Sequence, residues 1–305
     1  MSLTLDTCSM DELCVAMGGS ETLLIEYCDK LQDWLKLQPH LPHDAPRKRL
    51  EWLIIGSKMS LEKAKQKLDM YYTIRHLVPE LFKNRDPRDS SINVLHDVTQ
   101  YVILPKLTPE NRRICILQPT VNDASKFDPW LLHKYMFMVG DIRMIEDRSA
   151  GDIYVYDLEM ISLGHIMKLT PTLLKKCEVA ASKAYAARIK SIHLINAPPF
   201  VDRIVTMIKS VLKPKLAARV HVHAVGDLES FHRLVPKSIL PKDYGGSYST
   251  IKELSGLLRK KVDDYRDWFL EQENVFADER LRPGPTFDEN DIFGFSGSFR
   301  KLSVD

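Results

Sequence analysis

Short apolar runs alternate with much longer helical patterns through the middle of the chain. The apolar runs cover residues 113–117, 153–158, 191–195 and 220–224. The helical patterns between them cover residues 129–146, 171–189 and 200–212. A helix of this length between two strands allows the second strand to run parallel to the first. The pattern therefore predicts an α/β fold with a mostly parallel sheet.

The chain before this region contains only helical patterns. Residues 21–37 carry apolar side chains at helical spacing, and Ser60 is a suitable N-cap for another helix. A polar segment with a proline, residues 84–91, is the best candidate for a linker. We therefore predict three parts, which are a helical lobe at residues 1–85, an α/β domain at residues 92–248, and a C-terminal helix with a tail at residues 249–305 that packs on the fold.

The composition is that of an ordinary globular protein. The 305 residues include 43 Lys and Arg and 41 Asp and Glu, which gives a formal charge of +2. These values exclude a disordered chain, and the small charge argues against nucleic-acid binding over the whole surface. No run approaches the roughly 18 apolar residues of a spanning helix, and no secretion signal is recognisable. Five cysteines without a C-x-x-C pair favour free thiols and a cytoplasmic protein.

Motifs for catalysis are largely missing from the sequence. Neither G-x-x-x-x-G-K-[ST] nor G-x-G-x-x-G occurs, so neither common glycine-rich phosphate loop is present. His221 and His223 would share one face of a strand, and His193 on a neighbouring strand would complete a set of zinc type. The alternative is a group of strand histidines that form ordinary hydrogen bonds, and we favour it. We predict neither an enzyme, nor a metal site, nor a cofactor.

Residues 200–212 show a clear amphipathic helical pattern. The apolar positions are Val201, Ile204, Val205, Ile208, Val211 and Leu212. Pro198 and Pro199 precede the segment and Pro214 follows it, so the helix is separated from the chain on both sides. It is either an ordinary crossover helix that covers the sheet or a lid over a ligand cavity.

A local excess of positive charge surrounds this segment. Residues 188–219 contain seven Lys or Arg residues and a single acid, Asp202. Such a surface favours phosphates or an anionic membrane, where each cation contributes about 1 kcal/mol. The alternative is a solvated face that is basic by chance. The helices at residues 129–146 and 171–189 also carry more apolar side chains than a small sheet needs, which indicates a pocket.

Several segments resemble the CRAL-TRIO lipid-binding family, in its branch of tocopherol and retinaldehyde carriers. The matching motifs are IHLIN at 192–196 with the following MIK at 207–209, YDLE at 156–159, LP-x-x-YGG at 240–246, and LEKA at 61–64 with Tyr71 and Tyr72. The resemblance covers roughly residues 20–270. It implies an all-helical N-terminal lobe followed by a Rossmann-like α/β lobe, which encloses one hydrophobic ligand beneath a mobile lid helix at residues 200–212.

The resemblance also implies functional residues. The positions that match the pocket and lid are Leu131, Tyr135, Met138, Cys177, Ala181, Tyr185, Ile192, Phe200, Val201, Ile204, Met207 and Ile208. The positions that match phosphoinositide ligands are Arg188, Lys190, Lys215 and Arg219. Ile55 stands where relatives carry an arginine, which predicts the loss of one basic contact or of an ion pair between the lobes.

The resemblance implies a carrier for one small hydrophobic lipid, similar to a tocopherol or a retinoid. Such a carrier would exchange its cargo at phosphoinositide-containing membranes and would be cytoplasmic and peripherally membrane-associated. The alternative is a phosphoinositide-binding adaptor that carries no cargo. The two differ in one observable, since a carrier needs an internal cavity and an adaptor does not.

Overall fold

The computed structural model describes residues 3–294, and its N-terminal part is entirely helical. The helices there are α1 (Met10–Ala16), α2 (Glu21–Lys36), α3 (Arg47–Gly56), α4 (Leu61–Leu77), α5 (Pro79–Phe82) and α6 (Ser90–Val98). Ser20 and Ser60 cap α2 and α4, and each side chain accepts a hydrogen bond from a backbone N–H in the first turn. The predicted N-cap at Ser60 is thus present.

Strands and helices alternate in the second part. The elements are β1 (Thr99–Leu107), β2 (Arg112–Pro119), α7 (Pro129–Glu146), β3 (Gly151–Asp157), α8 (Leu163–Lys168), α9 (Pro171–Val179), β4 (Ile189–Ala197), α10 (Val201–Val211), α11 (Pro214–Ala217), β5 (Val220–Ala224) and α12 (Leu228–His232). Three helices follow, which are α13 (Ile251–Asp264), α14 (Arg266–Glu271) and α15 (Glu289–Phe293). Part of the tail predicted at residues 249–305, residues 295–305, lies outside the described residues.

The five strands form one sheet in the order β1-β2-β3-β4-β5. Strands β2 to β5 pair in parallel, which confirms the predicted sheet. Strand β1 was not predicted, and it pairs with β2 in antiparallel fashion at the edge. Its sequence contains Pro105 and follows α6 directly, so the run has no turn signal in front of it. An edge strand tolerates the proline because one side of its backbone has no partner strand.

Two predicted helices are interrupted in the structure. The helix expected at residues 171–189 ends as α9 and continues into a single π-type turn, Ala180–Ala184. Ala186 then adopts a positive φ of 54°, which turns the chain toward β4. The C-terminal helix expected within residues 249–305 breaks at Tyr265, between α13 and α14. Turns of π type often accompany functional sites, and this one borders a cavity described below.

A buried ion network joins the helical part to the sheet part through Asp141 on α7. Its carboxylate accepts hydrogen bonds from Tyr71 on α4 at 2.8 Å and from Tyr185 at 2.9 Å. Arg75 on α4 donates to it at 2.8 Å, and Arg85 at 2.6 Å. Arg85 lies in the segment predicted as a linker, yet it is only 1% exposed. The segment therefore fixes the two parts against each other.

The network determines the ionisation of Asp141. Burial raises the pKa of this carboxyl, but the positive charges of Arg75 and Arg85 outweigh that effect and lower the pKa to about 2. In the unfolded chain the pKa of an aspartate is about 3.9. The ionised network therefore stabilises the fold fully above this value, and the contribution disappears as the pH falls toward 2.

We expect Asp141→Asn to destabilise the protein by about 3–5 kcal/mol, because it leaves two buried guanidinium groups without a carboxylate. The matched control is Asp29→Asn, which removes a solvent-exposed partner of Arg47 and is expected to cost less than about 1 kcal/mol. Urea unfolding at pH 7 measures both changes. Equal losses in the two variants would contradict the importance of the Asp141 network.

Candidate functional site

An apolar cavity of about 280 Å³ lies between the sheet, α7, α9 and α10. This volume is close to the lower end of the range of about 300–1,000 Å³ that is typical of small-molecule sites. Alternate residues of β3, which are Asp152, Tyr154 and Tyr156, face the cavity. Ile153 and Val155 between them belong to the core on the opposite face of the sheet. The two-residue period of the strand therefore separates the cavity from the core.

Helix α7 forms the second wall. The side chains that line the cavity at successive turns are Leu132, Met136, Gly140 and Arg143. A Cβ atom at position 140 would lie 3.2 Å from the ring of Tyr185, so Gly140 allows α7 and this ring to pack closely. Tyr185 lines the cavity and also donates to Asp141, so the buried ion network holds this wall in place.

Helix α10 covers the cavity, at the position of the lid that the resemblance implies. Ile204 is buried in a small apolar cluster with Leu158, Ile192 and Leu194. Asp202, Arg203, Thr206 and Lys209 are exposed on the opposite side. Among residues 3–294, the α10 side chains form no ion pair, and Phe200 provides no side-chain cap. Apolar contacts thus hold α10 in place, in contrast to the ionic connection at Asp141.

Seven of the twelve predicted pocket and lid residues lie around the cavity. They are Cys177, Ala181, Tyr185, Ile192, Ile204, Met207 and Ile208. Whether each of them contacts a ligand stays a prediction. The sequence reasoning missed the β3 tyrosines and the α8 residues His165 and Ile166, which also line the cavity.

Five predicted residues lie elsewhere. Phe200 and Val201 pack against the small apolar cluster around Ile204, outside the lining of the cavity. Leu131, Tyr135 and Met138 occupy another face of α7 and pack toward the core that includes α13. The cause is that α7 is buried on several sides, so its apolar pattern does not distinguish the cavity face from the core face.

A few polar groups interrupt the apolar lining. The Thr99 hydroxyl is buried and has no hydrogen-bond partner in the described part of the chain. Arg143 forms an ion pair with Asp152 at 2.5 Å and closes one end of the cavity. Burial, with the nearby Asp152 carboxylate, raises the pKa of Tyr154 well above its ordinary value, and burial raises the pKa of Cys177. The Tyr154 hydroxyl and the Cys177 thiol are therefore neutral donors at pH 7, suited to orienting a mostly apolar ligand.

A group of cations, here called the basic cluster, lies beside the C-terminal end of the lid. Burial lowers the pKa of Lys190, and four neighbouring positive charges lower it further. Those neighbours are Arg188, Arg112, Arg219 and Lys58. None of these five side chains forms an ion pair within the described ranges. A concentration of unpaired cations is a surface that favours anions.

The structure places the predicted phosphoinositide residues unequally. Lys215 is exposed on α11, and Lys190 and Arg219 are half-buried. Arg188 donates to the backbone oxygen of Ser149, so its guanidinium is partly used inside the fold. The sequence reasoning did not predict that Arg112 and Lys58 belong to the basic cluster.

Ile55 is buried in the core of the helical part, so no cation stands there. Lys58, three residues further on, supplies a positive charge close to Lys190 instead. Because Ile55 replaces an arginine, the sequence put an ion pair between the two parts in doubt. The structure has ion pairs between the two parts elsewhere, at Asp141.

The histidines form the hydrogen-bonded arrangement that we favoured. His193 Nδ1 lies 3.0 Å from His223 Nε2, and Ser191 and Ser230 contact the outer nitrogens of the pair. His221 stacks on His193 with ring centroids 4.9 Å apart. The described residues contain no group of His, Cys, Asp or Glu arranged to hold a metal ion. In the same part of the chain, no helix combines the length and the apolar character needed to cross a membrane.

Family models match both parts of the chain. A model described as Pinta-like, UBA domain matches residues 21–92, and the CRAL/TRIO domain model matches residues 97–246. The second range contains the whole five-stranded sheet, helix α10 and every residue that lines the apolar cavity apart from Trp52.

The chain belongs to the CRAL/TRIO family. Among curated relatives, the chain is 29% identical over 245 residues to an alpha-tocopherol transfer protein-like protein of Homo sapiens, covering 76% of this chain and 65% of that protein. It is 27% identical over 183 residues to clavesin-1 of Rattus norvegicus, covering 59% of this chain and 51% of that protein. The chain thus spans less than two thirds of the length of these relatives.

A solved structure shows the same CRAL/TRIO architecture. The crystal structure of Sfh5 superimposes with a TM-score of 0.50 at 12% identity, covering 76% of this chain and 90% of that chain. At this identity the similarity is one of fold.

Proposed function

We propose that this protein encloses one apolar molecule in the cavity and exchanges it at phosphoinositide-containing membranes when α10 opens. The observation that carries the proposal is the apolar cavity beneath α10, a helix that apolar contacts alone hold among residues 3–294. The names of the alpha-tocopherol transfer protein-like relatives agree with a cargo of tocopherol type, and a retinoid is the other cargo that we propose. Such a carrier is not an enzyme and works as a cytoplasmic, peripherally membrane-associated protein.

The energetics favour tight retention of cargo in water. Burial of about 400 Å² of apolar ligand surface contributes on the order of 10 kcal/mol before the entropic costs of binding. A ligand held this strongly leaves slowly unless the cavity changes. A carrier therefore needs a second state, which a membrane stabilises by binding it better than the closed state.

The surface around the lid is suited to that contact. On α8, which lines the cavity through His165 and Ile166, the side chains of Leu163 and Met167 point outward and are 42% and 83% exposed. Exposed apolar side chains of this kind are suited to insertion between lipids. The basic cluster and the exposed Lys215 provide attraction to phosphoinositide head groups.

A phosphoinositide-binding adaptor without cargo is the second candidate, since the basic cluster alone would serve it. The cavity argues for the carrier, because an apolar space of this size has no role in an adaptor and costs stability when it is empty.

We expect Ile204→Asp to accelerate the release of a fluorescently labelled tocopherol by at least tenfold, because it places a charge against the apolar cavity. Thr206→Asp introduces the same charge on the exposed side of α10 and should release the probe at the parental rate. Stopped-flow fluorescence measures both rates, and circular dichroism checks that both variants are folded. Parental release from folded Ile204→Asp would show that α10 does not retain the ligand.

We also expect Lys215→Ala combined with Arg219→Ala to slow delivery of the probe to vesicles that contain phosphoinositides, because the attraction of two cations is lost. Affinity for the probe should not change. Lys30→Ala combined with Lys36→Ala removes two exposed cations from α2 and serves as the control. Delivery at the same rate by both double variants would reject the phosphoinositide step while leaving the cavity proposal intact.

A further inference from the structure

A second cavity, of about 240 Å³, opens at the surface between α6, α7 and α13. Its floor includes Tyr135 of α7 and His96 of α6, and its rim includes the exposed Arg259 of α13. Tyr135 is one of the residues that the sequence placed in the lipid pocket. The second cavity shares no lining residue with the apolar cavity and none with the basic cluster.

The floor carries an unused hydrogen-bond donor. Tyr135 is 2% exposed, and its hydroxyl has no hydrogen-bond partner among the described residues. A buried polar group without a partner costs about 1–3 kcal/mol, so such groups in native proteins call for an explanation. Burial raises the pKa of Tyr135, which keeps the hydroxyl protonated and able to donate.

His96 stands edge-on to Tyr135, with ring centroids 4.7 Å apart. Burial lowers the pKa of His96 to about 4, and the positive charge of Arg259 acts in the same direction. The imidazole is therefore neutral at pH 7 and can also donate one N–H. Arg259, His96 and Tyr135 line the same cavity, so the three groups can act on a single ligand.

The rim carries more positive than negative charge. Arg88 is paired with Asp263 at 2.6 Å, and Lys260 with Asp264 at 3.2 Å. Arg259 has no ion-pair partner in the described part of the chain, and its nearest hydrogen-bond acceptor is Asn93 Oδ1 at 3.4 Å. The guanidinium is thus available, and its planar fork matches two oxygens of one anion.

We propose that this second cavity binds the phosphate group of a phosphomonoester, with Arg259 paired to two oxygens and Tyr135 donating to a third. Arg88 and Lys260 are each paired with a carboxylate, so among the described residues the unpaired charge of the lining is that of Arg259, which attracts the charge of about −1.5 to −2 of a phosphomonoester at pH 7. The phosphate can belong to a soluble metabolite or to a lipid head group, since the same oxygens are presented in both cases.

The test uses the full chain and isothermal titration with glycerol 3-phosphate, and a parallel arm uses vesicles that contain phosphatidylinositol 4-phosphate. Arg259→Gln should weaken binding at least tenfold, and Tyr135→Phe should weaken it several-fold, because each removes a donor to the anion. Lys252→Gln, which changes an exposed cation of α13 outside the cavity, is the control and should bind as the parent does.

Saturable binding of glycerol 3-phosphate with this order of variants supports a soluble ligand. Binding confined to vesicles, with the same order, supports the site and assigns the phosphate to a lipid. No saturable binding in either arm, or equal binding by Arg259→Gln and Lys252→Gln, overturns the proposal. Tyr135→Phe removes a hydroxyl that has no partner among the described residues, so it should fold normally. Unchanged retention of the labelled tocopherol by Arg259→Gln shows that the apolar cavity is unaffected.

Discussion

The carboxylate of Asp141 is the point on which the rest of the structure depends. It accepts from α4, from the segment after α5 and from Tyr185, and so it fixes the helical part against α7 and the π-type turn. An apolar cavity tends to collapse, because the loss of packing around it costs about 24 cal/mol per Å³. A buried network with defined geometry resists that collapse, and Tyr185 belongs to both the network and the cavity wall.

Two kinds of interaction have different roles in this structure. Ion pairs and hydrogen bonds at Asp141 fix the frame, which consists of α4, α7 and the segment after α5, and apolar contacts hold α10. Ion pairs and hydrogen bonds inside the protein are specific in distance and direction, so the frame has one arrangement. The contacts beneath α10 are apolar, and a membrane offers an equally apolar environment in exchange for them. A lid held in this way can open at a lipid surface while the frame keeps its single arrangement, and the proposed carrier requires both properties.

The sequence predicted those features whose patterns carry a clear contrast between polar and apolar positions. The parallel strands and the amphipathic helix α10 are of this kind, because polar residues mark the outer face of α10. Leu131, Tyr135 and Met138 of α7 lie outside the lining of the apolar cavity, and the sequence could not distinguish the faces of this helix because apolar residues surround it. The proximity of Lys58 to Lys190 could not be predicted, because the two residues are 132 positions apart and only the packing of the lobes joins them.

Native mass spectrometry of the full chain, after incubation with vesicles that contain tocopherol or retinoid, tests the central claim most directly. The account predicts a complex of one chain with one apolar molecule, which extraction with organic solvent converts to the bare chain. A spectrum that shows only the bare chain after incubation with either cargo would contradict the account, because a cavity of this kind would then bind neither molecule.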